Sequence, residues 1–218
     1  MDPRDRRPRS RSRDRAPPSS AAASRATAPA SRPRVDYGAI NAQIKSARNA
    51  AELRSIGRTH GEGFGGMQHS MIMTACTRFR GDEEATVGVC ALAARAYLRH
   101  PRGGTGRDAR GAAGALYALA KVNAHRVRLP ADISSHINVQ ALNADVGREA
   151  CHMSRDFNAQ EAANSLWAAA TLGIRDDAIV GALAAACVAQ SRTFIAQDAA
   201  NSLWAAAAIG MRDESFYR

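Results

Sequence analysis

Two pairs of amide side chains are the strongest chemical signal in this 218-residue chain: Gln160 with Asn164, and Gln197 with Asn201. Members of each pair stand four apart, so on a helix they share one face. The second pair repeats the first at an offset of 37 residues. An amide both donates and accepts hydrogen bonds. Side chains of that kind, repeated along one surface, are what a helical array uses to read RNA bases. The same residues have a structural alternative, in which an asparagine inside an alanine-rich helix bonds the neighbouring loop and locks one repeat on the next. Arg175 and Arg212 also recur, at a turn, with Arg155 and Arg192 nearby. These four are candidates for a ridge that contacts phosphates, set against a plain solvated turn. Trp167 and Trp204 can stack on bases, but each follows a leucine, Leu166 or Leu203, and packing between helices is the stronger expectation.

Catalytic patterns are weak by comparison. Gly103-Gly104-Thr105-Gly106 lies between Arg102 and Arg107. It lacks the lysine and hydroxyl of a phosphate-cradling loop and reads as a flexible basic connection. Six histidines, at 60, 69, 100, 125, 136 and 152, show no metal-ligand spacing. Cys151 and His152 diverge by about 100° on a helix and do not form a nucleophile–base pair. The cysteines at 76, 90, 151 and 187 are far apart and read as small buried hydrophobes. The expectation is a protein without catalytic residue, metal or cofactor.

The elements that carry the amides follow from the repeat. Phe157–Asp176 (FNAQEAANSLWAAATLGIRD) and Phe194–Asp213 (FIAQDAANSLWAAAAIGMRD) agree at 15 of 20 positions. Each opens with an acidic residue, Glu161 or Asp198, where the helix dipole favours it. Ala162, Leu166, Ala169 and Ala170 share a face, as do Ala199, Leu203, Ala206 and Ala207. Gly173 and Gly210 suit left-handed helix ends. Asp176 and Asp213 suit the N-cap of a following helix, which in the first copy is the apolar run from Ala178 to Gln190. Diverged copies lie upstream. Leu116-Tyr117 stands for Leu166-Trp167, Met73 for Leu166 and Phe64 for Phe157. The intervals between positions 73, 116, 166 and 203 are 43, 50 and 37 residues, with the excess in loops at 101–107 and about 122–131. Glu83–His100 and about Ala131–Met153 are the matching second helices.

One helix pair cannot bury both faces, so such pairs must stack on one another. The fold class predicted is all-α: an α-solenoid of stacked antiparallel helix pairs with a disordered basic N-terminal tail. Entry helices occupy 36–63, and repeats occupy 64–218 as three pairs and an incomplete fourth. A chain stopping a few residues into a fourth second helix, without a polar capping repeat, is expected to be a fragment or to have its end completed by a partner.

The net charge of +10 and pI near 10.4 suggest a polyanionic partner. Residues 1–34 contribute ten arginines against three aspartates, a net +7, which leaves +3 for the rest. Almost without large apolar residues, residues 1–35 are expected to be disordered. They read as a transit peptide, as a nucleic-acid arm, or as a solvated leader. Asp2, Asp5, Asp14, Pro3 and Pro8 weigh against the first of these. No apolar run is long enough to cross a membrane.

The string FNAQEAANSLWAAATLG resembles the repeats of octotricopeptide and heptatricopeptide proteins. It is also similar to repeats in FAST-kinase-type and RAP-domain proteins and in a helical-repeat subunit of the kinetoplastid RNA-editing substrate-binding complex. Ile40–Phe79 is similar to the entry module of such proteins, and the resemblance spans about residues 39–218. It implies an α-solenoid that binds RNA in mitochondria or plastids, with a cytoplasmic location as the alternative, and supports RNA processing, stability, editing or translation. RNA is thus the expected partner, with protein partners in a ribonucleoprotein and no small-molecule substrate. A protein–protein scaffold is the competing function, and an enzyme whose catalytic part lies outside this chain the remote one.

Overall fold

The structure is a computed structural model that describes residues 35–212 and 216–217. The tail expected to be disordered and the predicted cap Asp213 lie outside the described residues. Among the described residues ten α-helices follow in order: α1 Tyr37–Ser46, α2 Ala50–His60, α3 Gly66–Cys76, α4 Glu83–Tyr97, α5 Ala109–Lys121, α6 Ala131–Ser134, α7 Val139–Met153, α8 Ala159–Leu172, α9 Asp177–Gln190 and α10 Ala196–Ile209. Among the described residues no strand forms.

Short polar side chains begin these helices. Asp36, Asn49, Asp82, Asp108, Asn138, Asn158 and Asp176 each accept a backbone N–H from the first turn, satisfying donors that the helix cannot. Asn158 and Glu161 form a reciprocal box, with Glu161 N–H donating to Asn158 at 2.9 Å and Asn158 N–H to Glu161 at 3.1 Å. Gly173 and Gly210 end α8 and α10 at φ 73° and 78°, a left-handed conformation a side chain would oppose. The helix predicted over Ala131–Met153 is broken in two. Ile133 in α6 and Ile137 in the non-helical step after it are both buried, and Asn138 restarts the chain as the cap of α7.

Helices α3 and α4, α5 and α7, and α8 and α9 pack as pairs. Sideways, α1 lies on α3, α3 on α5, α5 on α8 and α8 on α10, while α2 lies on α4, α4 on α7 and α7 on α9. Met73, Leu116 and Leu166, aligned by the repeat, are each 0% exposed. Around them Ala115, Ala118, Ala162, Ala168 and Ala169 let the helices approach closely. The second copy departs from this pattern. Leu203 is 50% exposed and Ala207 is exposed, whereas Ala206 is buried and Ala199 half-buried, so the face expected to be buried is covered in α8 and only partly covered in α10.

Residues 101–107 are a pinned turn, contrary to the flexible connection expected from their glycines. Arg107 N–H donates to Pro101 O and Gly103 N–H to Arg107 O, each at 2.8 Å, which closes the loop on itself. Gly66 N–H donates to Thr105 O at 3.0 Å. A Cβ on Gly66 would sit 2.0 Å from the Gly106 carbonyl oxygen, so only glycine admits the loop there. Arg102 and Arg107 converge on Glu149 of α7, 3% exposed, at 2.9 and 2.8 Å. The arginines therefore serve the fold, and sequence alone could not pair them with an acid more than 40 positions away.

Candidate functional site

The amides meet across two helices. Asn201 Nδ2 donates to Asn164 Oδ1 at 3.1 Å, joining α10 to α8. Gln197 Nε2 donates to Asn201 Oδ1 at 2.9 Å, along α10. Gln160 is exposed, and Asn164 and Asn201 are half-buried. The bond between equivalent asparagines serves as the stacking lock weighed for them, made helix to helix instead of helix to loop.

A row of aromatic side chains runs beside the amides. Tyr117, Trp167 and Trp204 stand three residues after Gly114, Asn164 and Asn201, hence on the same helical face. Their ring centroids are 5.6 Å apart for Tyr117–Trp167 and 6.4 Å for Trp167–Trp204, at interplanar angles of 46° and 41°. Trp167 is half-buried and anchors the contact between helices expected of it. Trp204, at 51% exposure, presents its ring to solvent.

The four arginines are not brought together. Arg155 and Arg192 lie in 3-10 turns before α8 and α10, whereas Arg175 and Arg212 follow those helices. Fourteen residues of α8 separate Arg155 from Arg175, about 21 Å of helix, so the two pairs stand at opposite ends of α8 and α10. Arg175 donates to Ala208 O at 3.4 Å, bridging the turn after α8 to the last turn of α10, where the helix dipole favours a cation. Arg155, Arg192 and Arg212 are exposed.

Cations that the sequence reading passed over line a groove instead. Lys45, Arg78 and Arg110 border a cleft of about 610 Å³ between α1, α3 and α5, floored partly by Met67 and Met71. Arg110 and Met67 stand where Gln160 stands, and Gly114 and Met71 where Asn164 stands, so the groove lies on the equivalent faces of earlier helices. Repeat divergence hid them, since neither α3 nor α5 keeps the amides. Asp108, the acid bordering this groove, is engaged as the cap of α5.

Three buried groups, Cys187, Cys90 and His69, are shifted toward their neutral forms. Burial raises the Cys187 thiol to about 11, and Cys90 lies well above the usual range through its contact with Cys76 and its burial; such thiols are poor nucleophiles. His69, 8% exposed, places Nδ1 3.0 Å from Gly65 O and 3.1 Å from His100 Nε2. Burial, opposed by the Gly65 carbonyl and aided by His100, lowers His69 to about 4. Unfolded histidine titrates near 6.5. Between those values the unfolded chain takes up a proton that the folded chain refuses, so stability falls as pH falls. Urea midpoints should report a loss of about 2 kcal/mol between pH 6.5 and 5. A His69→Gln chain should lose correspondingly less, and equal losses in both would assign the effect elsewhere. Among the described residues no three His, Cys, Asp or Glu side chains gather as metal ligands, and no helix is long and apolar enough to cross a membrane.

No family model matches this chain, and neither a curated protein nor a solved structure matches it.

Proposed function

We propose that this chain is a non-catalytic helical-repeat protein that binds single-stranded RNA along the face shared by α1, α3, α5, α8 and α10. In this reading the helix pairs form an α-solenoid of antiparallel units, and the neighbour order of the helices supports that arrangement. The observation that carries the function is the row Asn164–Asn201–Gln197 beside the aromatic row Tyr117–Trp167–Trp204. Amides supply base-edge hydrogen bonds, the exposed indole supplies a stacking surface, and the groove cations Lys45, Arg78 and Arg110 supply phosphate contacts. A role in mitochondrial or plastid RNA processing, stability or translation, with protein partners in a ribonucleoprotein, rests on the resemblance of the repeats.

A gel-shift titration of the unit Val35–Arg218 with short single-stranded RNA tests the reading free of the arginine-rich tail. Binding is expected at about 50 mM salt and should weaken steeply as salt rises. Replacing Lys45, Arg78 and Arg110 by alanine should reduce the salt slope. Asn201→Ala with Trp204→Ala should weaken binding about tenfold, the order of one lost stacking contact. Absence of binding at about 50 mM salt would overturn the proposal. The scaffold reading is favoured by one observation, the uncharged open side of α10.

A further inference from the structure

A cavity of about 330 Å³ lies between α2, α3 and α4. It shares no lining residue with the groove bordered by Lys45, Arg78 and Arg110. Leu53, Phe64, Ile72, Val89 and Ala93 give it buried, apolar walls. On the α2 side the wall is completed by Gly57 and Gly61, four residues apart and so on one face. The fold requires neither glycine. Gly57 lies within α2, and Gly61 ends it at φ −60° and ψ −28°, conformations open to any residue. A Cβ on either would meet nothing within 4 Å. Glycine weakens a helix relative to alanine, and no close approach of another segment explains it here. What the two missing side chains preserve is the empty volume.

One deeply buried polar side chain borders that volume. His69, 8% exposed, places Nδ1 3.0 Å from Gly65 O. A carbonyl oxygen only accepts, so the ring hydrogen sits on Nδ1 and Nε2 keeps a lone pair. Burial keeps the ring neutral. Among the described residues Nε2 has no hydrogen-bond partner, since both contacts of the ring are made by Nδ1.

We infer that this cavity binds a small aromatic alcohol, its ring between the apolar walls and its hydroxyl donating to His69 Nε2. Size, polarity and charge each select that ligand. A cavity of about 150 Å³ takes one benzene ring, so about 330 Å³ takes a body of two fused rings. A lone acceptor calls for a ligand with one donor, because a ketone or carboxylate would leave Nε2 unpaired. Arg54 and Arg58 also border the cavity. Arg54 bonds Asp132, and among the described residues no carboxylate pairs with Arg58, so this edge keeps a positive charge. Guanidinium groups repel amines and lie favourably against aromatic rings.

Isothermal titration calorimetry of the full chain with 2-naphthol tests this, beside 2-methoxynaphthalene, the same rings without the donor. 2-Naphthol is expected to bind with a Kd of about 0.1 mM, within reach of a ligand of this size. Its methyl ether should bind about tenfold more weakly, the order of one lost hydrogen bond. Gly57→Leu and Ala96→Leu fill the cavity from α2 and from α4. Each should abolish binding while leaving the fold at least as resistant to urea. Gly181→Ala is the control: this exposed glycine of α9 also has nothing within 4 Å of an added Cβ, so the change should raise the urea midpoint and leave binding unaltered. No heat at about 1 mM 2-naphthol, equal affinity for the two naphthalenes, or undiminished binding in both filled variants would each overturn the inference.

Discussion

Leu166→Ala is expected to destabilise the fold by about 2–5 kcal/mol, while Leu203→Ala, the same change in the same motif, costs about 1 kcal/mol or less in dilute protein. The two leucines sit in nearly identical sequence, AANSLWAAA in both copies. Leu166 is 0% exposed and packed between α5 and α10, so its truncation removes buried apolar surface and leaves a cavity. Close alanine neighbours such as Ala162 and Ala169 have no side-chain freedom to fill it. Leu203 is half exposed, so its truncation removes less contact and opens no enclosed void. Urea denaturation of both variants at low concentration measures the difference. Equal losses would mean that α10 is covered in solution even in dilute protein, and that the exposure of Leu203 does not describe the monomer.

The second large effect belongs to the pinned loop. Arg102→Ala combined with Arg107→Ala is expected to cost about 3–5 kcal/mol, the range for a buried charge left without partners. Glu149, 3% exposed, bonds both guanidiniums with its carboxylate. Without them its buried oxygens are left without side-chain partners. The loop would then be held mainly by its backbone bonds to Gly66 and within itself. Arg107→Ala alone should cost less, because Arg102 still makes two-pronged contact with the carboxylate. Adding Glu149→Leu to the double variant should restore much of the lost stability, since an apolar side chain needs no partner. A triple variant as unstable as the double one would place the cost in the arginine stems and not in the charge. Thermal or urea unfolding of the four chains decides between these outcomes.

Much of the fold was legible because local chemistry states it. Alanine-rich runs closed by Gly173 and Gly210 specify α8 and α10, and Asp176 specifies the start of α9 through a bond only two or three residues long. The repeat also located Met73 and Leu116 as core positions without any knowledge of their neighbours. Interactions between distant segments were invisible. Nothing in Gly103–Gly106 signals that Arg102 and Arg107 meet Glu149, and the broken step at Ser135–Asn138 follows from burial of Ile133 and Ile137 beneath neighbouring helices. Part of the candidate site was legible for the same reason as the repeat. Identical amides at a 37-residue offset fall in register, so Asn164 and Asn201 meet. The four arginines, though also periodic, lie at opposite ends of α8 and α10, because sequence proximity along a helix of 14 residues is still about 21 Å in space. The groove cations Lys45, Arg78 and Arg110 come from α1, the turn after α3, and α5, and share no spacing that a linear reading detects.

By itself the sequence determined most helix starts and ends and the register of the repeat, since caps, propensities and helical periodicity act over a few residues. Which copy of an identical face is buried was decided only by the tertiary structure. Leu166 and Leu203 carry the same local instructions, and they differ because a helix lies across one and not across the other.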